Sequence, residues 1–234
     1  MNGSLNYLMI AIVKQGKQMR SITALTIFIL IQCKLFAQDK KVLLPQPIET
    51  KYEAAAAFPL QNLSVYFPRN AAKDISFALN ELKTSIKERT GINIKQAASD
   101  ATASLHFNIK KAGFELPVVA DSANSGEREA YILSISSKGI NIEANTSTGL
   151  YYAVQTIRQL IAVKDGKASL PAVTIKDKPA LAFRGMMMDF AHGGLLTVDE
   201  IKRQIDFLAR WKTNQYYFYN EISISMDGYP TLNY

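Results

Sequence analysis

Near the end of the chain, residues 183–219 impose one local topology. Phe183 to Phe190 is a mostly apolar run that reads as a strand buried on both faces of a parallel sheet. Thr197 and Glu200 have the T-x-x-E spacing of a capping box. Ile201, Ile205, Leu208 and Trp211 then recur at helical spacing, which gives a helix with one apolar stripe. Tyr216 to Tyr219 is the second strand. Two strands joined by a helix of about four turns form a parallel βαβ unit, because a parallel connection needs a crossover of that length. Such a unit cannot bury its own faces, so other parts of the chain must cover it. A cation, Arg184, stands where its first strand begins.

The rest of the chain is ordinary for a folded protein: 234 residues, 48% hydrophobic and 20% charged. The net charge of +7 invites a nucleic-acid reading. However, Lys14, Lys17, Arg20 and Lys34 fall in the first 37 residues, which hold no acid, leaving 23 basic against 20 acidic residues elsewhere. Those charges are dispersed, so a phosphate-binding surface is not expected and nucleic acid is not a partner. Met19-Arg20, the apolar Ile22 to Ile31, and Leu35-Phe-Ala-Gln38 form the three parts of a secretory signal, with the natural start at Met19. Export follows. The apolar core is too short for a transmembrane span, which needs about 20 residues. A lipid anchor on Cys33 is the competing reading, opposed by Gln32 where such sites carry a small residue. Cys33 is the only cysteine and His106 and His192 the only histidines, so disulfides, metal sites and metal cofactors are not expected.

Between these ends the chain alternates strands with two helices. Leu63 to Phe67 reads as a strand. A helix runs from about Ala71 to Thr90 on the stripe Ile75, Leu79, Leu82 and Ile86, and Gly91 stops it. Strands are expected at Ile92 to Ile94 and Ala103 to Ile109, with His106 on the face opposite Leu105, Phe107 and Ile109. Residues 111–128 read as a loop. Tyr131 to Ala144 is a hairpin about a turn containing Gly139. A second helix, about Thr148 to Ala162, buries Leu150, Val154, Ile157 and Ile161. The turn at Lys164 to Lys167 leads into a strand from Leu170 to Ile175. This pattern describes an α+β layer domain ending near Lys178.

Four sets of residues give the chain its resemblance to family 20 glycoside hydrolases, the β-N-acetylhexosaminidases. They are Leu44-Pro-Gln-Pro47; Gly139 to Ala144 leading into Gly149-Leu-Tyr-Tyr-Ala-Val-Gln-Thr156 and Gln159-Leu160; Asp177-Lys-Pro179; and Phe183-Arg-Gly185 with Met188-Asp189 and Glu200-Ile-Lys-Arg203. The resemblance implies a zincin-like, metal-free α+β domain at 38–178, after a signal region at 1–37. It implies that 179–234 is the truncated start of a (β/α)8 TIM barrel. It further implies that Arg184 hydrogen-bonds sugar hydroxyls, a role suited to the fixed donors of a guanidinium. The plainer alternative makes Arg184 a tie to the preceding domain or a partner of Asp189.

The chain also departs from the family pattern. After the second strand the family has His-x-His and an acidic pair; here the run is Tyr217-Phe-Tyr-Asn-Glu-Ile222. Glu221, at a barrel strand's C-terminal end, either does related work or is a solvated loop residue. His192, before Gly193 and Gly194, either lines the pocket or belongs to a turn that the glycines shape. The family's catalytic Asp-Glu pair lies on a later strand, where the Glu protonates the leaving oxygen and the Asp orients the substrate's acetamido group. Asp199-Glu200 is not that pair, because it occupies a helix's first turn, where acids cap and complement the dipole. No catalytic residue is therefore expected in this chain.

The reading that follows is an exported glycosidase acting on glycans with terminal N-acetylhexosamine. The alternatives are a related exported enzyme of other specificity, such as an α-glucuronidase, or a non-catalytic module binding glycans or partners. The 234 residues alone are expected to be inactive and poorly soluble, since Phe183 to Met188 and Tyr216 to Phe218 would lack cover.

Overall fold

The computed structural model describes residues 41–66, 72–111, 125–192, 194–220 and Gly228. The expected export signal and Glu221 lie outside the described residues.

Strict alternation builds the main sheet. In β6 (Tyr131–Ser136) and β7 (Gly139–Thr146), Tyr131, Leu133, Ile135, Ile140, Ile142 and Ala144 point to the core while their neighbours face outward. The two strands pair antiparallel, Leu133 opposite Ile142, as the hairpin pattern requires. Around them lie β1 (Glu49–Tyr52), β3 (Ser64–Val65), β4 (Lys95–Gln96), β5 (Leu105–Lys111) and β10 (Val173–Asp177). The sheet order is β1-β10-β6-β7-β5-β3-β4. The β1 to β7 side is antiparallel and the β7 to β4 side parallel. A smaller sheet joins β2 (Phe58–Pro59), β8 (Ala162–Lys164) and β9 (Lys167–Leu170) in the order β2-β9-β8.

Two helices supply the second layer. In α1 (Lys73–Thr90), Leu79, Leu82 and Ile86 are buried, and Gly91 ends the helix at φ 72° with its N–H on the Lys87 carbonyl. The one-turn α2 (Ser125–Arg128) precedes β6. In α3 (Ser147–Leu160), the Thr146 hydroxyl caps the first turn by accepting the N–H groups of Thr148 and Gly149. One buried face was expected for α3, but Tyr152, Ala153, Gln155 and Thr156 are buried as well. It lies between the sheet and α1, and the Arg184 side chain reaches Tyr152. Leu133, Ile142, Leu150 and Ile157 have no exposed surface, and each contributes about 1.5–3 kcal/mol by leaving water.

Two strand expectations are corrected. Pairing falls on Lys95–Gln96 rather than on Ile92 to Ile94; Lys95 and Ala97 donate to the Leu63 and Val65 carbonyls, while Ile92 and Ile94 pack against the core. The expected strand Leu170 to Ile175 is two strands in different sheets. Pro171 has no N–H for a ladder, and the chain changes sheets there.

The βαβ unit is present as β11 (Gly185–Asp189), α4 (Val198–Ala209) and β12 (Gln215–Tyr219). The strands are parallel, Gly185 opposite Gln215 and Asp189 opposite Tyr219. Only half of the capping box forms. Thr197 Oγ1 accepts the Glu200 N–H, but the Glu200 carboxylate turns to Arg203 and Gln204. β11 is not buried on both faces as its composition suggested. Met186 and Met188 are half-buried and Met187 exposed, because among the described residues β12 is its sole strand partner, and α4 buries no residue.

Gly149 is one of the positions where packing tolerates no side chain, since a Cβ there would lie 2.7 Å from the Ala130 carbonyl oxygen and 3.3 Å from Ala144 Cβ. Gly149→Ala is expected to cost about 1–3 kcal/mol in urea denaturation, the usual range for forced overpacking.

Candidate functional site

The βαβ unit has two ends, and different chemistry gathers at each. Four rises of about 3.3 Å along a five-residue strand separate them by about 13 Å.

At the N-terminal end, Arg184 is the hub. Its Nη2 donates to Glu129 Oε2 at 2.5 Å and to the Tyr152 hydroxyl at 3.1 Å, Nη1 to the Leu181 carbonyl at 2.7 Å, and Nε to the Lys212 carbonyl at 2.8 Å. Glu129 is 1% exposed. Burial raises its pKa despite the pull of the Arg184 guanidinium beside it. The guanidinium also lies 5.4 Å from the centre of the Tyr152 ring.

A second buried pair runs alongside. Lys212 Nζ donates to Asp177 Oδ2 at 2.7 Å and to the Tyr131 hydroxyl at 2.9 Å, and that hydroxyl lies 2.6 Å from Thr156 Oγ1. Burial lowers the Lys212 pKa, and Asp177 opposes the shift. Both pairs wall a cavity of about 370 Å³ that Pro45, Ile48 and Leu181 also line. The acids and bases at this end are paired with one another, so the arrangement serves as a polar fastening between the α+β domain and the βαβ unit.

At the C-terminal end, Asp189 closes a tight turn. Its Oδ1 accepts the N–H groups of Ala191 and His192 at 2.8 and 3.2 Å, and its Oδ2 lies 2.8 Å from His192 Nδ1. These hydrogen bonds, the one with the His192 ring first, lower the Asp189 pKa. The His192 ring stacks on Tyr219 with 10° between planes. A carboxylate, an imidazole and a phenol thus meet at the C-terminal end of the two parallel strands. The structure brings Asp189 to His192 and not to Arg184. Arg184 lies at the opposite end of the strand from His192, so these two candidates do not share one site. Among the described residues, no three His, Cys, Asp or Glu side chains gather as a metal site, and no helix is long and apolar enough to cross a membrane.

Sequence reasoning missed Glu129, Tyr152, Lys212 and Asn214 as members of the joint. Tyr152 stood within the Gly149 to Thr156 motif; Glu129, Lys212 and Asn214 carry no local pattern. Removing the arginine by Arg184→Met would leave Glu129 buried without its cation, a loss of about 3–5 kcal/mol near neutral pH. A carboxyl whose folded pKa is raised loses stability as pH rises from its unfolded to its folded value, and the substitution raises the folded value further. The urea-measured loss is therefore expected to be larger at pH 7.5 than at pH 5.

Comparisons agree with this architecture. Residues 40–178 match glycosyl hydrolase family 20, domain 2. A beta-hexosaminidase of Porphyromonas gingivalis is 28% identical over 131 residues, covering 53% of this chain and 17% of the relative. A chitooligosaccharidolytic beta-N-acetylglucosaminidase of Bombyx mori is 29% identical over 198 residues, covering 80% of this chain and 32% of the relative. The chain thus spans under a third of the length of these curated relatives. Among solved structures, a chitobiase of Flavobacterium johnsoniae superposes with a TM-score of 0.65 at 24% identity, covering 81% of this chain and 29% of that one, which speaks for the fold. With the family pattern covering more than half of its residues, the chain belongs to glycosyl hydrolase family 20.

Proposed function

We propose that the whole protein is an exported glycoside hydrolase that removes terminal N-acetylhexosamine residues from glycans by substrate-assisted, retaining hydrolysis. These residues supply a zincin-like, metal-free α+β domain and the opening of a (β/α)8 barrel. The observation that carries the reading is the polarity of the βαβ unit. Its N-terminal end is fastened to the α+β domain through Arg184, and its C-terminal end presents Asp189, His192 and Tyr219 together. Family membership and the names of the beta-hexosaminidase and beta-N-acetylglucosaminidase relatives support the substrate class. The pattern from Met19 to Gln38 supports export.

On this reading the sugar meets the barrel's C-terminal end. Asp189 holds the His192 ring by Nδ1 and the Tyr219 ring stacks on it, which sets a polar edge beside an aromatic face. A pyranose offers hydroxyls to the one and apolar C–H surface to the other. Glu221, two residues beyond β12 in the sequence, is included in this proposal as a further sugar-binding residue. Arg184 acts as a positioning residue; a direct bond to the sugar would have to use the Nη1 hydrogen not engaged by Leu181. The proton donor and the carboxylate that orients the acetamido group come from a later barrel strand, as family resemblance implies.

The test is turnover of 4-nitrophenyl N-acetyl-β-glucosaminide by the whole protein, expected to proceed with retention. Turnover of an aryl α-glucuronide in its place would overturn the proposal. His192→Ala is expected to lower kcat/KM about tenfold, the equivalent of one good hydrogen bond in the transition state. Glu200→Gln, at the helix start, is expected to leave it within about twofold.

A further inference from the structure

The joint touches both barrel strands at once. Asn214 Oδ1 accepts the Arg184 N–H at 2.9 Å, and the Asn214 N–H returns to the Arg184 carbonyl at 2.9 Å. The same side chain donates Nδ2 to the Ala182 carbonyl at 2.8 Å and to Glu129 Oε1 at 3.3 Å. Lys212 also works in two directions: its carbonyl accepts Arg184 Nε, while its ammonium reaches Asp177 and Tyr131 of the α+β domain. Its backbone stands at φ 63°, the left-handed region that residues with a Cβ seldom occupy, so the turn into β12 depends on these contacts.

Two anchors, Glu129 and Asp177, fix both position and rotation where one would leave a pivot. The geometry matters because a two-stranded sheet is weakly specified by itself. A slip of one residue shifts a strand by about 3.3 Å and turns its side chains to the other face. The far end is closed by a bond from the Phe190 N–H to the Tyr219 carbonyl at 2.9 Å.

We propose that Lys212 and Asn214 are positioning residues through which the α+β domain sets the register of β11 against β12, and with it the placement of Asp189, His192 and Tyr219. That these three face a sugar rests on the function proposed above; the register does not.

The test compares amide hydrogen exchange in the whole wild-type protein and in the double variant Lys212→Met, Asp177→Leu. Removing both charges leaves no lone buried ion, and Tyr131 retains Thr156, so the fold is expected to persist. The Phe190 amide is then expected to exchange about tenfold faster or more, while Val154 in α3 keeps its protection. Phe190 protection within about twofold of wild type would overturn the proposal. If the double variant does not fold, Asn214→Asp replaces it. That variant keeps the acceptor for the Arg184 N–H and loses both donors, with the same two outcomes for Phe190. On the N-acetylglucosaminide, kcat is expected to fall about tenfold or more with KM little changed, as misplacement of catalytic surroundings does; an unchanged kcat would count against positioning. An inactive wild type whose variant loses Phe190 protection would sink the functional proposal and leave the register standing.

Discussion

The 2.5 Å ion pair between Arg184 and Glu129 is the interaction on which the arrangement of the two parts depends. A carboxylate with 1% exposure cannot remain charged without a cation and hydrogen bonds around it. The guanidinium provides both, and its planar fork also reaches Tyr152, Leu181 and Lys212. One side chain therefore joins the α+β domain, the segment at Leu181 and the turn before β12. An apolar contact of equal area could hold these parts together. It would not orient them, because burial has no preferred direction and hydrogen bonds do.

The α+β part was legible where a local period coincided with burial. Tyr131, Leu133 and Ile135 alternate because only one sheet face meets the helices, and α1 stops at Gly91 because its φ of 72° suits glycine. Reading failed where a tertiary event divided an apolar run. The segment Leu170 to Ile175 looks continuous, yet Pro171 lets it pass from one sheet to another. β11 fails in the opposite direction: Met186 to Met188 have the composition of a buried strand, while the described residues cover that strand only in part. Composition reports what a strand prefers, and burial depends on which neighbours are at hand.

Arg184 could be singled out from its place before the first strand, and the structure shows it as the tie to the preceding domain that the plainer reading allowed. Glu129 could not be found, since 55 residues separate the partners and nothing near Glu129 marks it. Lys212 is equally silent, one lysine at a helix end whose backbone and side chain acquire roles only when Asp177 and Tyr131 arrive from β10 and β6. Asp189 and His192 are different. Three residues apart, they could pair locally, and an acid at a strand end followed by a turn histidine is a signal that a sequence can carry.

The central claim is that the Arg184–Glu129 pair couples the α+β domain to β11 and β12. A double-mutant cycle on Arg184→Met and Glu129→Leu, read by urea denaturation at neutral pH, measures that coupling. The account predicts a coupling of about 2–3 kcal/mol, with the double variant more stable than the worse single one, since removing both charges leaves neither buried alone. Losses that simply add, with a coupling below about 0.5 kcal/mol, would contradict it.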